Sequence, residues 1–377
     1  MAGIYIHIPF CTQKCHYCNF YSTTSAKYRK VFIDVLSREI ISRGEYLGDE
    51  KINTIYFGGG SPSLLSVNEI TRLINTISES YIVDDDVEIT FEMNPDDLDK
   101  EGLLDLKNYT PINRLSIGVQ SFIDEDLNYL NRLHNAEQAH NMIKNSLGAG
   151  FENITIDLIY GIPTLGDNSW KENLNRFFEY SIPHLSSYSL TVEPKTALSV
   201  LIKKNKISNV AEEDSVRHFE ILLEETEKHN FIHYEISNFA LEGYYSKHNS
   251  LYWLGGNYLG VGPSAHSYNG KSRQWNVASV SRYCEADNPK NIIKETETLS
   301  MAQLFNEYIL TSIRTSWGCD IEHINNLFGE KYYTHFLTNI KKALNDKMVI
   351  RNGNVFTLTN KGKLFADGVS SSLFFGL

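Results

Sequence analysis

Short apolar runs alternate with amphipathic stretches along the first half of the chain. The runs that predict β-strands lie at 4–8, 52–57, 87–93, 114–119, 154–159 and 185–190. The stretches between them place apolar residues at helical spacing, which predicts helices over 28–47, 67–80, 136–147 and 170–180. Because parallel strands need long crossover connections, six strands joined by helices predict a parallel sheet.

This alternation is typical of the α/β class. Six strand–helix units fit an open, partial (β/α)6 barrel, and a doubly wound flat sheet is the alternative. The glycine-rich and polar motifs of the chain follow the ends of the predicted strands. Because α/β folds bind ligands at the carboxyl ends of their strands, we expect a ligand site at that edge of the sheet.

The alternation fades after Pro194. A long helix is predicted over 212–229, and a stretch rich in glycine, asparagine and aromatic residues follows over 238–275. Beyond about 295 the chain is mainly helical and ends with short strands at 348–351 and 354–358, a pattern that resembles a winged-helix module. The predicted domains are a barrel over 1–237, a connecting region over 238–294 and a winged-helix-like domain over 295–377.

Composition narrows the range of functions. The chain has 377 residues and a formal net charge of −11, which argues against a dedicated nucleic-acid binder and favours protein contacts for the C-terminal module. Cys284 and Cys319 are isolated, so we expect buried thiols and not a disulfide. No apolar run approaches the roughly 20 residues that span a bilayer, and no signal-peptide pattern opens the chain. We therefore expect a cytoplasmic protein without a transmembrane segment.

Three further cysteines lie close together near the N-terminus. Cys11, Cys15 and Cys18 form the pattern C-x3-C-x2-C. A protein-bound [4Fe–4S] cluster normally takes four thiolates, so three leave one iron without a protein ligand. A zinc site or a set of reduced thiols is the alternative, but zinc prefers paired C-x2-C arms, and no second arm follows. The segment resembles the radical S-adenosylmethionine (SAM) superfamily, in which SAM fills the open position on iron.

Polar residues also end the next predicted strands. The run 58–61 reads Gly-Gly-Gly-Ser after the second strand, and glycines let a backbone approach a ligand closely. Glu92 ends the third strand and Gln120 the fourth. Arg132 suits a two-pronged bond to a carboxylate. Asp157 lies within the apolar fifth strand, where a lone acid is costly unless it is paired or binds a ligand.

In this order the motifs resemble the family of oxygen-independent coproporphyrinogen III oxidases and their relatives, over almost the whole chain. The resemblance implies a radical SAM barrel. It places Tyr17 near SAM as an aromatic contact, and Thr191 matches a SAM position more loosely. The residues that fall on the SAM contacts of that family are Tyr5, Gly59, Gly60, Ser61, Glu92, Gln120, Arg132 and Asp157.

Two features depart from the oxidases. The oxidases carry a fourth cysteine where this chain has Phe20, and they carry a longer extension ahead of the cysteine loop. Both departures resemble the HemW branch, a group of heme chaperones. The segment that ends at Trp253 also matches the HNxxYW motif of that branch, which is associated there with heme binding. His248 offers a nitrogen of the kind that binds heme iron, and Tyr252 and Trp253 offer flat apolar faces.

The resemblance implies two alternative functions. The favoured one is a heme chaperone that delivers heme to acceptor proteins, for example respiratory enzymes, and carries a [4Fe–4S] cluster, SAM and heme but no catalytic residue. A homodimer is one arrangement that the resemblance allows. The alternative is a radical SAM enzyme that oxidatively decarboxylates coproporphyrinogen III. Phe20 and His248 favour the chaperone; His266 is a second candidate heme ligand, although a structural role is favoured for it.

Overall fold

The computed structural model describes residues 2–376. Its main sheet has twelve strands, of which the first six lie side by side in chain order and pair in parallel. These strands are β1 (Ala2–Ile8), β2 (Ile52–Gly59), β3 (Val83–Met93), β4 (Arg114–Gln120), β5 (Asn153–Tyr160) and β6 (His184–Ser189). A doubly wound sheet would reverse its strand order, so the sequential order confirms the predicted open (β/α)6 arrangement.

Helices connect these strands and cover one face of the sheet. They are α1 (Arg29–Ser42), α2 (Val67–Ser80), α3 (Lys100–Tyr109), α4 (Asp124–Leu130), α5 (Ala136–Gly148) and α6 (Asp167–Glu179), with a 3-10 turn at Pro62–Leu64. A capping box between Ser66 and Glu69 begins α2. The first helix ends five residues before its predicted end, because glycines at 44 and 48 favour the turns that follow it.

Side chains alternate across the six parallel strands. The apolar set is buried against the helices and includes Ile4, Ile6, Ile55, Phe57, Leu115, Ile117, Ile154 and Ile156. Because successive strand residues point to opposite faces, the other set shares the opposite face. That set is polar, and includes Tyr5, His7, Tyr56, Glu92, Arg114, Ser116, Asp157 and Ser186. We call the space that this polar face lines the lumen of the barrel.

The chain then extends the sheet at both ends. The elements are α7 (Ala197–Lys203), α8 (Glu212–Lys228), β7 (Ile232–Glu235), β8 (Asn238–Ala240), α9 (Lys247–Trp253), β9 (Asn257–Val261), β10 (His266–Tyr268), β11 (Ser272–Asn276), α10 (Val280–Cys284), a 3-10 turn at Pro289–Asn291 and β12 (Ile293–Thr298). Strand β9 pairs in parallel with β1, and β8 pairs antiparallel with β6. The predicted connecting region thus supplies strands to the main sheet, while the boundaries at 237 and 294 stay predictions.

The C-terminal part forms its own hydrophobic cluster around Phe305, Phe336 and Phe356. It is mainly helical and carries a three-stranded sheet in the order β13-β15-β14. Its elements are α11 (Met301–Ser312), β13 (Cys319–Asp320), α12 (Ile321–Phe328), α13 (Glu330–Asn345), β14 (Val349–Asn352), β15 (Val355–Leu358), α14 (Asn360–Lys363) and α15 (Ala366–Ser372). Within the described range, no helix combines the length and the apolar character needed to cross a membrane.

Candidate functional site

The cysteine loop packs against the glycine-rich turn that follows β2. The backbone N–H of Gly60 donates to the carbonyl oxygen of Ile8 at 2.7 Å, and the N–H of Ser61 donates to that of Phe10 at 2.7 Å. A Cβ atom on Gly60 would lie 2.5 Å from the oxygen of Phe10 and 2.9 Å from the Sγ atom of Cys11. Only glycine fits this close approach, so the turn positions the loop.

The turn after α4 holds the opposite side of the loop. The N–H of His16 donates to the carbonyl oxygen of Leu130 at 3.0 Å. The side chain of Gln13 donates to the oxygen of Asn131 at 3.0 Å, and the Asn131 side chain donates to the oxygen of Lys14 at 3.1 Å. Asn131 has a φ of 59°, which asparagine tolerates. Sequence reasoning missed Asn131, whose only signal was its place beside Arg132.

The thiols of Cys11, Cys15 and Cys18 are free and half-buried. Burial raises the pKa of the Cys11 and Cys18 thiols. Across residues 2–376, no group of three or more His, Cys, Asp or Glu side chains is arranged to hold a metal ion. Three thiols in one loop are nevertheless the donor type that iron–sulfur clusters use.

Arg132 lies between the cysteine loop and the ends of β3 and β4. Its Nη1 atom donates to the Sγ atom of Cys15 at 3.4 Å, and its Nη2 atom donates to Asn94 Oδ1 at 2.6 Å and to the oxygen of Gly118 at 2.8 Å. Its Nε atom is buried and has no partner among the described residues. The adjacent cleft is lined by Thr12, Gln13, Cys15, Ser61, Asn94, Asp96, Asp97, Asn131, Arg132 and Leu133.

Two carboxylates face the lumen. Glu92 accepts hydrogen bonds from the Tyr56 hydroxyl at 2.7 Å and from the N–H of Gly59 at 3.1 Å, and burial raises its pKa. Asp157 accepts from the Ser116 hydroxyl at 3.3 Å. Burial, and then the charge of Glu92, raise the pKa of Asp157 to about 7. Two neighbouring carboxylates repel each other when both are ionised. A positively charged ligand would offset this repulsion, so the pair suits a cationic ligand.

The other residues that the resemblance assigned to SAM lie on the same parallel strands or on the loops that follow them. The ring centre of Tyr5 lies 6.0 Å from that of Tyr56. Gln120 ends β4, is buried and has a φ of 68°. Tyr17 is half-buried within the cysteine loop. Thr191 follows β6 and is exposed, so it contributes less to the enclosed part of the site.

Helix α9 places His248 at the other end of the lumen, near the start of β2. Its Nδ1 atom lies 2.8 Å from Thr54 Oγ1, and its Nε2 atom lies 2.8 Å from the hydroxyl oxygen of Tyr252. The side chain is 1% exposed, and burial lowers its pKa to about 3. Its ring stacks on that of Tyr56 at 5.0 Å. Tyr56 therefore contacts both Glu92 and His248.

The rest of the HNxxYW segment diverges from His248. The ring of Trp253 lies under the guanidinium group of Arg314 from the C-terminal domain, at 5.4 Å. Its indole N–H is buried without a partner among residues 2–376. His266 is exposed and stacks on Trp275, with ring centres 5.9 Å apart. The side chains of His248 and Tyr252 thus contact each other. Those of Trp253 and His266 make their contacts elsewhere, with Arg314 and with Trp275.

Comparisons with known proteins agree with this architecture. The family model of the radical SAM superfamily matches residues 5–177. The chain is 33% identical to the protein named heme chaperone HemW of Bacillus subtilis, over 98% of both chains. It is 32% identical to heme chaperone HemW of Lactococcus lactis, over 95% of this chain and 93% of the relative.

A solved structure shows the same fold. Coproporphyrinogen III oxidase (HemN) from Escherichia coli, described as a radical SAM enzyme, is 22% identical to this chain. It superposes with a TM-score of 0.85 over 100% of this chain and 90% of that chain. Because the identity to HemW proteins exceeds 30% over nearly the whole length, the resemblance seen in the motifs is confirmed. The chain belongs to the HemW family of the radical SAM superfamily.

Proposed function

We propose that this protein is a cytoplasmic heme chaperone, which binds heme and delivers it to acceptor proteins. The observation that carries the proposal is its likeness, over nearly the whole length, to proteins named heme chaperones. Phe20 supports the same choice, because it stands where the oxidases have a fourth cysteine and is 63% exposed.

The three-cysteine loop would hold the iron–sulfur group. Cys11, Cys15 and Cys18 are its proposed ligands, and a [4Fe–4S] cluster bound there supplies an iron with a position open to SAM. The loop is fixed from both sides by the Gly60 turn and by Asn131. Because the three thiols are not arranged to hold a metal ion in the described chain, binding of the cluster would require them to move closer together.

The charged residues around the lumen would orient SAM. Arg132 would bind the SAM carboxylate, because its Nε–H has no partner in the described chain. Glu92 and Asp157 would face the cationic and hydroxyl-bearing part of SAM. The other proposed SAM contacts are Tyr5, Tyr17, Gly59, Gly60, Ser61, Gln120 and Thr191.

Heme is the proposed cargo, with His248 as an axial ligand and Tyr252 and Trp253 as contacts. The low pKa of His248 keeps its imidazole neutral, which is the form that binds metal ions. The Tyr252 hydroxyl lies at Nε2, so ligation of iron at that atom requires this hydroxyl to move away.

One paired experiment separates the chaperone from the oxidase. The anaerobically reconstituted protein is mixed with heme in one tube, and with coproporphyrinogen III, SAM and a reductant in another. The proposal requires heme to stay with the protein through gel filtration and no carbon dioxide to be released. Carbon dioxide release from coproporphyrinogen III without heme retention would identify an oxidase instead.

A further inference from the structure

The C-terminal domain has a cleft that the heme proposal leaves unused. It encloses about 310 Å³, a volume in the range of ordinary ligand pockets. Helix α13 forms one wall, and the hairpin of β14 and β15 forms the other. The lining residues are Thr334, Leu337, Thr338, Ile340, Lys341, Leu344, Arg351 and Phe356.

Helix α13 presents two different faces. Its core face is buried and consists of Tyr332, Phe336, Ile340 and Ala343. Its second face, at the cleft, repeats every three or four residues and consists of Thr334, Leu337, Thr338, Lys341 and Leu344. Leu337 and Leu344 on this face are only half-buried. Both leucines pack against the hydrophobic cluster of the C-terminal part, and the surface that they leave exposed lines the cleft, where a contact outside the chain can cover it.

Both charged residues of the cleft lining are cations, and one carboxylate lies beside the lining, since Glu330 accepts a hydrogen bond from Thr334 at 3.2 Å. Lys341 and Arg351 are exposed and are the charged members of its lining. Arg351 lies over the Phe356 ring at 5.2 Å and donates to the carbonyl oxygen of Gly353 at 2.8 Å. In the described part of the chain neither cation forms an ion pair with a carboxylate. The charged lining of the cleft is therefore positive, whereas the whole chain has a formal net charge of −11.

We propose that this cleft docks an acidic segment of a partner protein, with apolar side chains of that segment entering between α13 and the hairpin. Its carboxylates would pair with Lys341 and Arg351, and its apolar side chains would contact Leu337 and Leu344. Charge complementarity selects the segment, and the apolar contacts hold it. Because β14 is an outer strand of its sheet, an extended segment can also pair with the outer edge of β14.

A synthetic peptide tests the proposal on the full-length protein. The probe is a short fluorescein-labelled peptide that alternates glutamate with leucine, and anisotropy measures its binding. Lys341→Glu and Arg351→Glu should each weaken binding about tenfold or more, because attraction becomes repulsion. Lys342→Glu is the matched control, since Lys342 is exposed but lies outside the lining, and it should weaken binding much less than Lys341→Glu does. Leu337→Ser should also weaken binding, which charge attraction alone does not require.

Several outcomes would overturn the proposal. These are no binding by the unaltered protein, equal binding of a lysine–leucine peptide, or equal weakening by Lys342→Glu. Binding of duplex DNA is measured separately. If DNA binding requires Lys341 and Arg351 and the peptide does not displace the DNA, the cleft binds nucleic acid and not an acidic protein segment. Circular dichroism checks that each variant is folded. Heme retention is measured on the same variants, and its persistence when peptide binding is lost separates this proposal from the heme proposal.

Discussion

The Nε2 atom of His248 lies 2.8 Å from the hydroxyl oxygen of Tyr252. The second ring nitrogen lies 2.8 Å from Thr54 Oγ1, so both nitrogens have partners. A heme iron needs a lone pair on one of them. Heme ligation by His248 therefore competes with the hydrogen bond to Tyr252.

Tyr252→Phe should strengthen heme binding, because it removes the competing hydroxyl and keeps the ring. A typical hydrogen bond contributes about 1 kcal/mol, so we expect about a fivefold gain in affinity. Titration of heme followed at the Soret band measures it. An affinity unchanged by Tyr252→Phe would mean that iron does not bind at Nε2.

His248→Leu should shift the Soret band and weaken heme binding, since leucine keeps bulk but lacks the nitrogen. Trp253→Ala is the comparison variant, and it should weaken binding without changing the ligand type. Should the spectrum and affinity of His248→Leu both match those of the unaltered protein, the ligand lies elsewhere and His266 is the first residue to test.

Arg132→Ala should weaken SAM binding by about 2–3 kcal/mol, because a charged hydrogen bond to a buried ligand is lost. Calorimetry on the reconstituted protein measures the change. Arg217→Ala is the control, since Arg217 is an exposed arginine whose partners are Asp167 and Asp214. Iron content is measured in parallel because Arg132 touches Cys15. Unchanged SAM affinity in an iron-loaded variant would remove Arg132 from the site.

Gly60→Ala should prevent assembly of the cluster. The added methyl group would overlap the oxygen of Phe10 and the thiol of Cys11, and so displace the cysteine loop. We expect low iron and sulfide content after anaerobic reconstitution. Gly148→Ala adds the same methyl group where no atom lies within 4 Å, and it should leave cluster content normal. Normal iron and sulfide content in Gly60→Ala would show that cluster assembly does not depend on this turn.

Asp157 should make stability depend on pH. Its pKa is raised from an ordinary value of 3.8 to about 7, so the folded state holds a proton that the unfolded state has released. The free energy of unfolding should therefore fall as pH rises from about 4 to about 7. Asp157→Asn should flatten this fall and be more stable than the unaltered protein at pH 8, by a value on the order of 2 kcal/mol.

Urea unfolding at several pH values measures this effect. Asp85→Asn is the control, because Asp85 is exposed on β3. Some slope should remain in Asp157→Asn, since burial also raises the pKa of Glu92. Identical slopes for Asp157→Asn and the unaltered protein would show that Asp157 is ionised in the folded state at pH 7.

Local patterns were enough to predict much of the barrel. Helix α2 has its predicted bounds, Val67–Ser80, because the spacing of its apolar residues and the Ser66–Glu69 capping box are local signals. The pairing of β1 with β9 joins Ala2 to Asn257. Neither segment carries a local pattern that predicts a partner so distant in sequence. Long-range pairing of this kind depends on tertiary packing.

In the candidate site, too, local motifs could be read from the sequence, whereas contacts between distant elements could not. The cysteines, the glycines and Arg132 were predicted from motifs, because each motif is short and continuous. The role of Tyr56 was not found, since its contacts with Glu92 and His248 come from three separate elements. The position of Trp253 against Arg314 depends on how the C-terminal domain packs, which a motif in α9 does not encode.

Heme transfer tests the central claim most directly. The reconstituted protein is loaded with heme, freed of excess heme and mixed with the apo form of a respiratory heme enzyme. A parallel tube contains an unrelated heme scavenger, which reports the rate of passive dissociation. A chaperone should restore the activity of the enzyme faster than the scavenger gains heme, and His248→Leu should lose this advantage. Heme that reaches the enzyme no faster than it reaches the scavenger would contradict the claim.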